Sequence, residues 1–314
     1  MKEVALVIIF NHNYTANIKP LTLLYGNRFK NIFFVIPFYN GNLPNVINVF
    51  EKSCFFQGYI SSALNQIKKE GFKYYLIIGD DVFLNPSIEE TNFKNFFNVN
   101  EDTAFIPGPF LLSDPSETRP SRPYAPYWNS IADAQKFDVI QFGFHSEKYL
   151  PSKSEAKMLL NRHGFDFSYK IPRRMFFPKP MIRFKEGIRH NLQGIKLLLK
   201  NIPNLVYPKP LKYPLIGSYS DVIVISAKHQ ENFISYSGAF AALNLFVELA
   251  LPTSIAFAYP KIVSEIDTKY KGETYWYYSH NECEKKYKKS LLYLTENFPI
   301  DTLYVHPIKL SKWK

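Results

Sequence analysis

Residues Tyr74–Pro86 read YYLIIGDDVFLNP, an apolar run that ends on Gly79 and two adjacent aspartates, Asp80 and Asp81. The run has no polar alternation, which is how a strand buried on both faces of a parallel sheet reads. Two aspartates at the carboxyl end of such a strand lie where open α/β sheets bind ligands. Upstream, Val4–Phe10 and Asn31–Phe38 are further unbroken β-rich runs, with a short helix expected at Ile18–Tyr25 between them. Gln57–Lys69 places Ile60, Leu64 and Ile67 at helical spacing and stops at Gly71. Ser87–Phe97 is expected to be a helix and Thr103–Pro107 a strand. This alternation predicts a doubly wound α/β sheet.

Beyond Pro107 the pattern changes. Prolines recur to Pro126, which is loop chemistry. Within 170–215 lies a basic stretch in which Ile188, Leu192, Ile195, Leu199 and Ile202 step by four and three. Arg183, Lys185, Arg189, Lys196 and Lys200 fall mostly elsewhere on the wheel, so a basic amphipathic helix is expected. Its apolar stripe is expected to pack on the core, with the basic side toward a membrane. Asp221–Ser226 then reads as a strand, Ala239–Leu251 as an apolar helix, and Ile255–Tyr259 as another strand. Residues 267–290 read as surface loop and helix, and Asp301–Lys309 as an apolar tail interrupted by His306. The chain is expected to form one domain: 1–110 for the nucleotide, 111–215 variable, 216–314 for the acceptor.

The 314 residues carry 38 Lys+Arg against 27 Asp+Glu, a net charge of +11, with 17% aromatics. So aromatic a chain is not disordered, and one of this length needs no disulfide to fold. The charge suits nucleic acid, an anionic membrane face or a phosphorylated substrate. Cys54 and Cys283 form no disulfide framework and sit at no metal-ligand spacing, which points to a reducing compartment. The first ten residues are not expected to be a signal peptide. Gly238–Tyr259 approaches membrane-spanning length, but Glu248 and Pro252 at its centre favour a buried helix followed by a strand. A cytoplasmic protein resting on the inner membrane face is expected.

Asp80 and Asp81 carry the chemistry. Paired carboxylates repel unless a cation sits between them, and Mg²⁺ or Mn²⁺ is held by one or two carboxylates plus substrate phosphates. The same Gly-Asp-Asp occurs in polymerase palms, but these need a further acid upstream, and the first two strands end in FNHN and FYN.

In its order of motifs the chain resembles the GT-A class of nucleotide-sugar glycosyltransferases. A Rossmann-like half closes on the DxD-type variant Gly79-Asp80-Asp81, a proline-rich variable region follows, then SDVIVIS and NLFVELALPTSIAF, and finally a histidine in YVHPIK. The resemblance implies a GT-A-like central sheet flanked by helices, with a Pro-rich and basic insertion. It implies Asp81 as principal metal ligand, Asp80 as metal or ribose contact, His306 as a further ligand, and Lys309 on the diphosphate. It implies Mn²⁺ or Mg²⁺ as cofactor. Glu248, with Asp221 as second candidate, matches the general base of inverting members. The implied activity is transfer of a hexose, of galactose, galactofuranose or glucose type, from a UDP-sugar to a glycan or lipid-linked glycan acceptor.

Other residues read less sharply. Asn11, His12 and Asn13 follow the first strand, where a nucleotide enters, and Gln57 opens the helix before the Asp-Asp strand; all four are expected to contact the donor. Trp128, beside Tyr127, is expected to stack on a sugar. Arg173, Arg174, Arg183, Lys185 and Arg189 are expected to meet the acceptor or an anionic membrane. Nucleic acid is not expected as a partner, because the basic residues cluster in one segment rather than lining a groove with aromatics. The alternatives are a nucleotidyltransferase using Asp80, Asp81 and Mg²⁺, and a non-enzymatic basic α/β nucleic-acid-binding protein.

Overall fold

The computed structural model describes residues 2–112, 137–141, 144, 145, 148–167, 211–275 and 280–313, together with Ala134, Leu192, Ile195, Leu199 and Ile202. The strands are β1 (Lys2–Ile9), β2 (Ile32–Pro37), β3 (Val46–Val49), β4 (Phe72–Gly79), β5 (Phe83–Leu84), β6 (Thr103–Phe105) and β7 (Phe110–Leu111). They continue with β8 (Ile140–Gln141), β9 (Phe144–His145), β10 (Ile216–Gly217), β11 (Val222–Ser226), β12 (Lys261–Val263), β13 (Lys271–Thr274) and β14 (Thr302–His306). The α-helices are α1 (Ile18–Tyr25), α2 (Phe56–Ile67), α3 (Phe93–Phe97), α4 (Lys153–Asn161), α5 (Gln230–Ala242), α6 (Val247–Ala258), α7 (His280–Lys286) and α8 (Leu291–Glu296).

Seven strands form the central sheet in the order β12-β6-β11-β4-β1-β2-β3. Strands β4, β1, β2 and β3 are parallel; the apolar runs predict the first three, whereas β3 was not expected. The exception is β11, antiparallel to both β4 and β6, so the sheet is mixed. All five β11 residues are buried, and a fully apolar strand carries no sign of its direction.

Both faces of the sheet are covered. Val4, Leu6, Ile8 and Phe10 point into one core with Leu21 and Tyr25 of α1, whereas Ala5, Val7 and Ile9 point into the other with α2, α5 and α6. A third core joins Leu112, Phe137 and α4 to Tyr213, Leu215 and the outer side of α5 and α6. Gly71 takes φ 76° to close the turn after α2, a conformation a side chain would strain.

Four expected elements differ. The apolar helix expected at Ala239–Leu251 is broken at residues 243–246, between the end of α5 at Ala242 and the start of α6 at Val247. The Ser87–Phe97 helix shrinks to α3, because Asn92 accepts from Glu89 N and donates to Ser87 O, forming a competing turn. Ile255–Tyr259 is not a strand: its first four residues complete α6 and Tyr259 caps it, and eleven of the twelve α6 residues, all but Glu248, are buried, so no periodicity marks it as helix. The four described residues of the basic segment's apolar stripe do not pack on the core as expected, since Leu192, Ile195, Leu199 and Ile202 are helical and exposed; Ile188 lies outside the described residues. Among the described residues no helix is long and apolar enough to cross a membrane.

Arg162 closes α6 by donating from Nη2 to the carbonyls of Ala256, Phe257 and Tyr259 at 2.7–3.1 Å, a cation at a helix carboxyl end. Its neighbour His163 is pushed down to about 4, chiefly by burial. The unfolded chain therefore binds more protons between pH 4 and 6.5, and stability falls as pH drops through that window, by at most about 3 kcal/mol. Melting curves should show this slope, and His163→Gln should flatten it; an identical slope in the variant would assign the acid sensitivity elsewhere.

Candidate active site

The chain leaves β1 toward β2 and β3, then returns to place β4 on the other side of β1. The carboxyl ends of β1 and β4 therefore frame the switch-point crevice of an open α/β sheet. Asp80 N donates to Ile9 O at 2.9 Å, holding the Asp-Asp turn beside Asn11 and His12. The buried Asn17 donates from Nδ2 to Asp80 Oδ2 at 2.7 Å.

The tail reaches the same place through pairing. β5 follows Asp81 and pairs antiparallel with β14, setting Val305 opposite Phe83. Ile308 N then donates to Asp81 O at 2.7 Å, and His306 Nε2 lies 2.9 Å from Asp81 Oδ1. The His306 side chain is only 2% exposed, but that of Asp81 is 41% exposed and open to a ligand. On its other nitrogen, Nδ1, His306 is hydrogen-bonded to the Tyr219 hydroxyl, which is hydrogen-bonded in turn to Asp221. A proton on Nδ1 of His306 leaves the Tyr219 hydroxyl to donate onward to Asp221 and turns Nε2 toward Asp81.

Gly79 lets the carboxylates converge. A Cβ there would lie 3.2 Å from Asp81 Oδ1 and 3.4 Å from Asp221 Oδ1. Gly79 N also donates to Asp221 O at 2.9 Å, so β11 delivers Asp221 to the same turn.

Charge follows from this crowding. Burial, then the neighbouring Asp81 charge, pushes Asp80 up to about 7, with Asn17 opposing. Burial also raises Asp81, but the charge and hydrogen bond of His306 outweigh it and the carboxyl ends below its usual range. Burial works against a charged His306, yet Asp81 and Asp221 raise it above an ordinary histidine. Asp221 is raised, first by burial. Perturbed groups gathered in a crevice are a mark of a functional site.

Glu248 stands half-buried in the first turn of α6. Pro252 has no N–H to donate to the Glu248 carbonyl, four residues back. Ser218 N takes that carbonyl at 3.0 Å, tying α6 to the segment that carries Tyr219 and Asp221. The Cys54 thiol is raised by partial desolvation and then by the charges of Asp221 and Glu248.

The expected donor contacts divide. His12 is exposed and close enough to Asp81 to help lower its carboxyl. Asn11 uses its side chain to hold the loop opposite, accepting from Cys54 N at 2.9 Å, and Asn13 donates to Phe38 O at 2.8 Å. Gln57 does not face the crevice: it is fully buried and donates from Nε2 to Leu245 O at 2.7 Å, anchoring the turn before α6. Gln57→Leu should therefore leave a buried carbonyl unpaired and cost about 1–3 kcal/mol in a denaturant melt, with nucleotide affinity unchanged. A selective loss of affinity without loss of stability would restore it as a donor contact. Lys309 lies on the rim, 4.0 Å from Glu284, which also pairs with Lys289 at 2.7 Å and lies 3.4 Å from His280. Trp128, Arg173, Arg174, Arg183, Lys185 and Arg189 lie outside the described residues.

Sequence reading missed Asn17, Tyr219 and His280. Asn17 and Tyr219 hold Asp80 and His306, and His280 feels the charges of Lys309 and Asp81. Each lies in an ordinary polar or aromatic context, and only the folded contacts single it out.

Among the described residues no group of three or more His, Cys, Asp and Glu side chains is gathered to hold a metal. Asp81 and His306 nevertheless offer a carboxylate and an imidazole within 2.9 Å of each other. This pair fits a divalent cation as two of its ligands if the ion takes the place of the Nε2 proton, so that His306 binds as neutral imidazole with Nδ1–H on Tyr219 and substrate oxygens complete the shell. No protein-family model matches the chain, and no curated protein matches it.

Proposed function

We propose that the protein is a glycosyltransferase that moves a hexose from a UDP-sugar to a glycan or lipid-linked glycan acceptor. The observation that carries this reading is the Asp81–His306 pair at the switch-point crevice, a strand-end acid joined by a histidine from the chain's last strand. The nucleoside lies along the strand ends past Asn11 and His12, with the diphosphate between Asp81 and the rim lysine Lys309. Asp81 and His306 would hold Mn²⁺ or Mg²⁺ there, and such an ion supplies charge neutralisation for the departing diphosphate. Tyr219 and Asn17 keep the site in shape by fixing His306 and Asp80. Glu248 takes the proton of the attacking acceptor hydroxyl, which makes the transfer inverting.

The test is a thermal-stability screen of nucleoside diphosphates and their sugars, with and without Mn²⁺. UDP at about a hundred times its Kd should stabilise the fold by about 2.7 kcal/mol, and only with the metal present. No shift with any nucleotide would sink the reading.

A further inference from the structure

The exposed stripe carries a second inference, independent of which reaction the crevice performs. Leu192, Ile195, Leu199 and Ile202 are 52%, 39%, 59% and 44% exposed, and they follow one another at three- and four-residue steps along one helical face. Singly exposed apolar residues need no explanation, but a helical row of four does. The same segment holds most of the chain's charge. Residues 170–212 contain eleven Lys and Arg and one acid, Glu186, a net +10 out of +11 for the whole protein. Two of the lysines, Lys196 and Lys200, come directly after stripe residues Ile195 and Leu199 in sequence.

We propose that this face docks on the surface of an anionic lipid bilayer, with the stripe in the headgroup–acyl boundary and the lysines and arginines on lipid phosphates. The pairing of an apolar row with concentrated positive charge selects this occupant. A polyanion such as nucleic acid would satisfy the charge and leave the stripe in water. A second copy of the chain would cover the stripe but bring like charges together, +10 against +10. A bilayer surface meets both needs, and each basic residue near it strengthens binding by about 1 kcal/mol, roughly fivefold. The protein would lie on the membrane, consistent with the absence, among the described residues, of a helix able to span one.

The experiment is flotation of the whole chain with phosphatidylcholine vesicles, with and without about one third phosphatidylglycerol. Binding is expected to the anionic vesicles alone and to fall steeply with salt. Lys196→Gln with Lys200→Gln should weaken it roughly 25-fold. The four-site change Leu192→Gln, Ile195→Gln, Leu199→Gln and Ile202→Gln should abolish it while leaving the melting temperature unchanged, because these side chains are exposed. Three outcomes would overturn the proposal: no binding to either vesicle, undiminished binding by the four-site variant, or a lowered melting temperature in it, which would make the stripe structural. A wild-type dimer in the absence of lipid that the four-site variant dissolves would assign the face to a second copy instead.

Discussion

Asp81→Asn is expected to lower hexose transfer about a thousandfold and to abolish the Mn²⁺-dependent stabilisation by UDP. The amide keeps the shape of the carboxylate but removes its charge, and a positioned charge at the departing diphosphate is the kind of group whose loss costs about 10²–10³ in rate. The change also reaches His306, whose charged form Asp81 and Asp221 favour against the cost of burial. Without the Asp81 charge the imidazole loses much of that support, so both members of the pair are weakened by one substitution. The fold should survive, because the Asp81 side chain is 41% exposed and its carbonyl still accepts from Ile308 N. Circular dichroism and a melt establish that, and transfer with a radiolabelled UDP-hexose measures the rest. An Asp81→Asn protein that binds UDP with metal and turns over normally would remove the crevice from the chemistry.

Glu248→Gln should retain UDP binding and lose transfer by about 10²–10⁴, the range for a removed general base. Asp221→Asn should behave differently, and the contrast separates the two carboxylates. Asp221 is hydrogen-bonded to Tyr219, which holds His306 on Asp81, so its loss loosens the site proposed to receive the nucleotide. Weaker nucleotide binding is therefore expected alongside slower transfer. Glu248 belongs to α6, and its main chain is fixed by Ser218 regardless of its side chain. Should Glu248→Gln leave kcat unchanged while Asp221→Asn lowers kcat at full UDP affinity, the base is Asp221.

Much of this site was readable before folding. The run ending in Gly79-Asp80-Asp81 marks a buried strand by composition and a candidate site by position, and both aspartates follow β4 at the switch-point crevice. His306 was legible as the end of the last apolar run, and β14 does end on it. Gln57 was not: a polar residue at a helix start looks the same whether it faces a ligand or a neighbouring carbonyl, and only the packing of α2 against Leu245 decides. The direction of β11 and the identity of Ile255–Tyr259 were hidden for a related reason. When every side is buried, hydrophobicity loses the period from which secondary structure and orientation are read.

The sequence by itself determined that the runs ending at Phe10, Phe38 and Gly79 are buried strands, where two carboxylates end one of them, and that nearly all the net charge belongs to one stretch between strands. Composition and local spacing hold that information, because burial and charge are properties of neighbouring residues. The tertiary structure decided what the carboxylates meet. His306 reaches Asp81 across 225 residues because β14 pairs with β5 in one register, and Asp221 reaches Gly79 because β11 runs antiparallel beside β4. The outward turn of Leu192, Ile195, Leu199 and Ile202 was decided in the same way. An amphipathic pattern states that a face must be covered, and only the packed molecule states which faces its own core has already used.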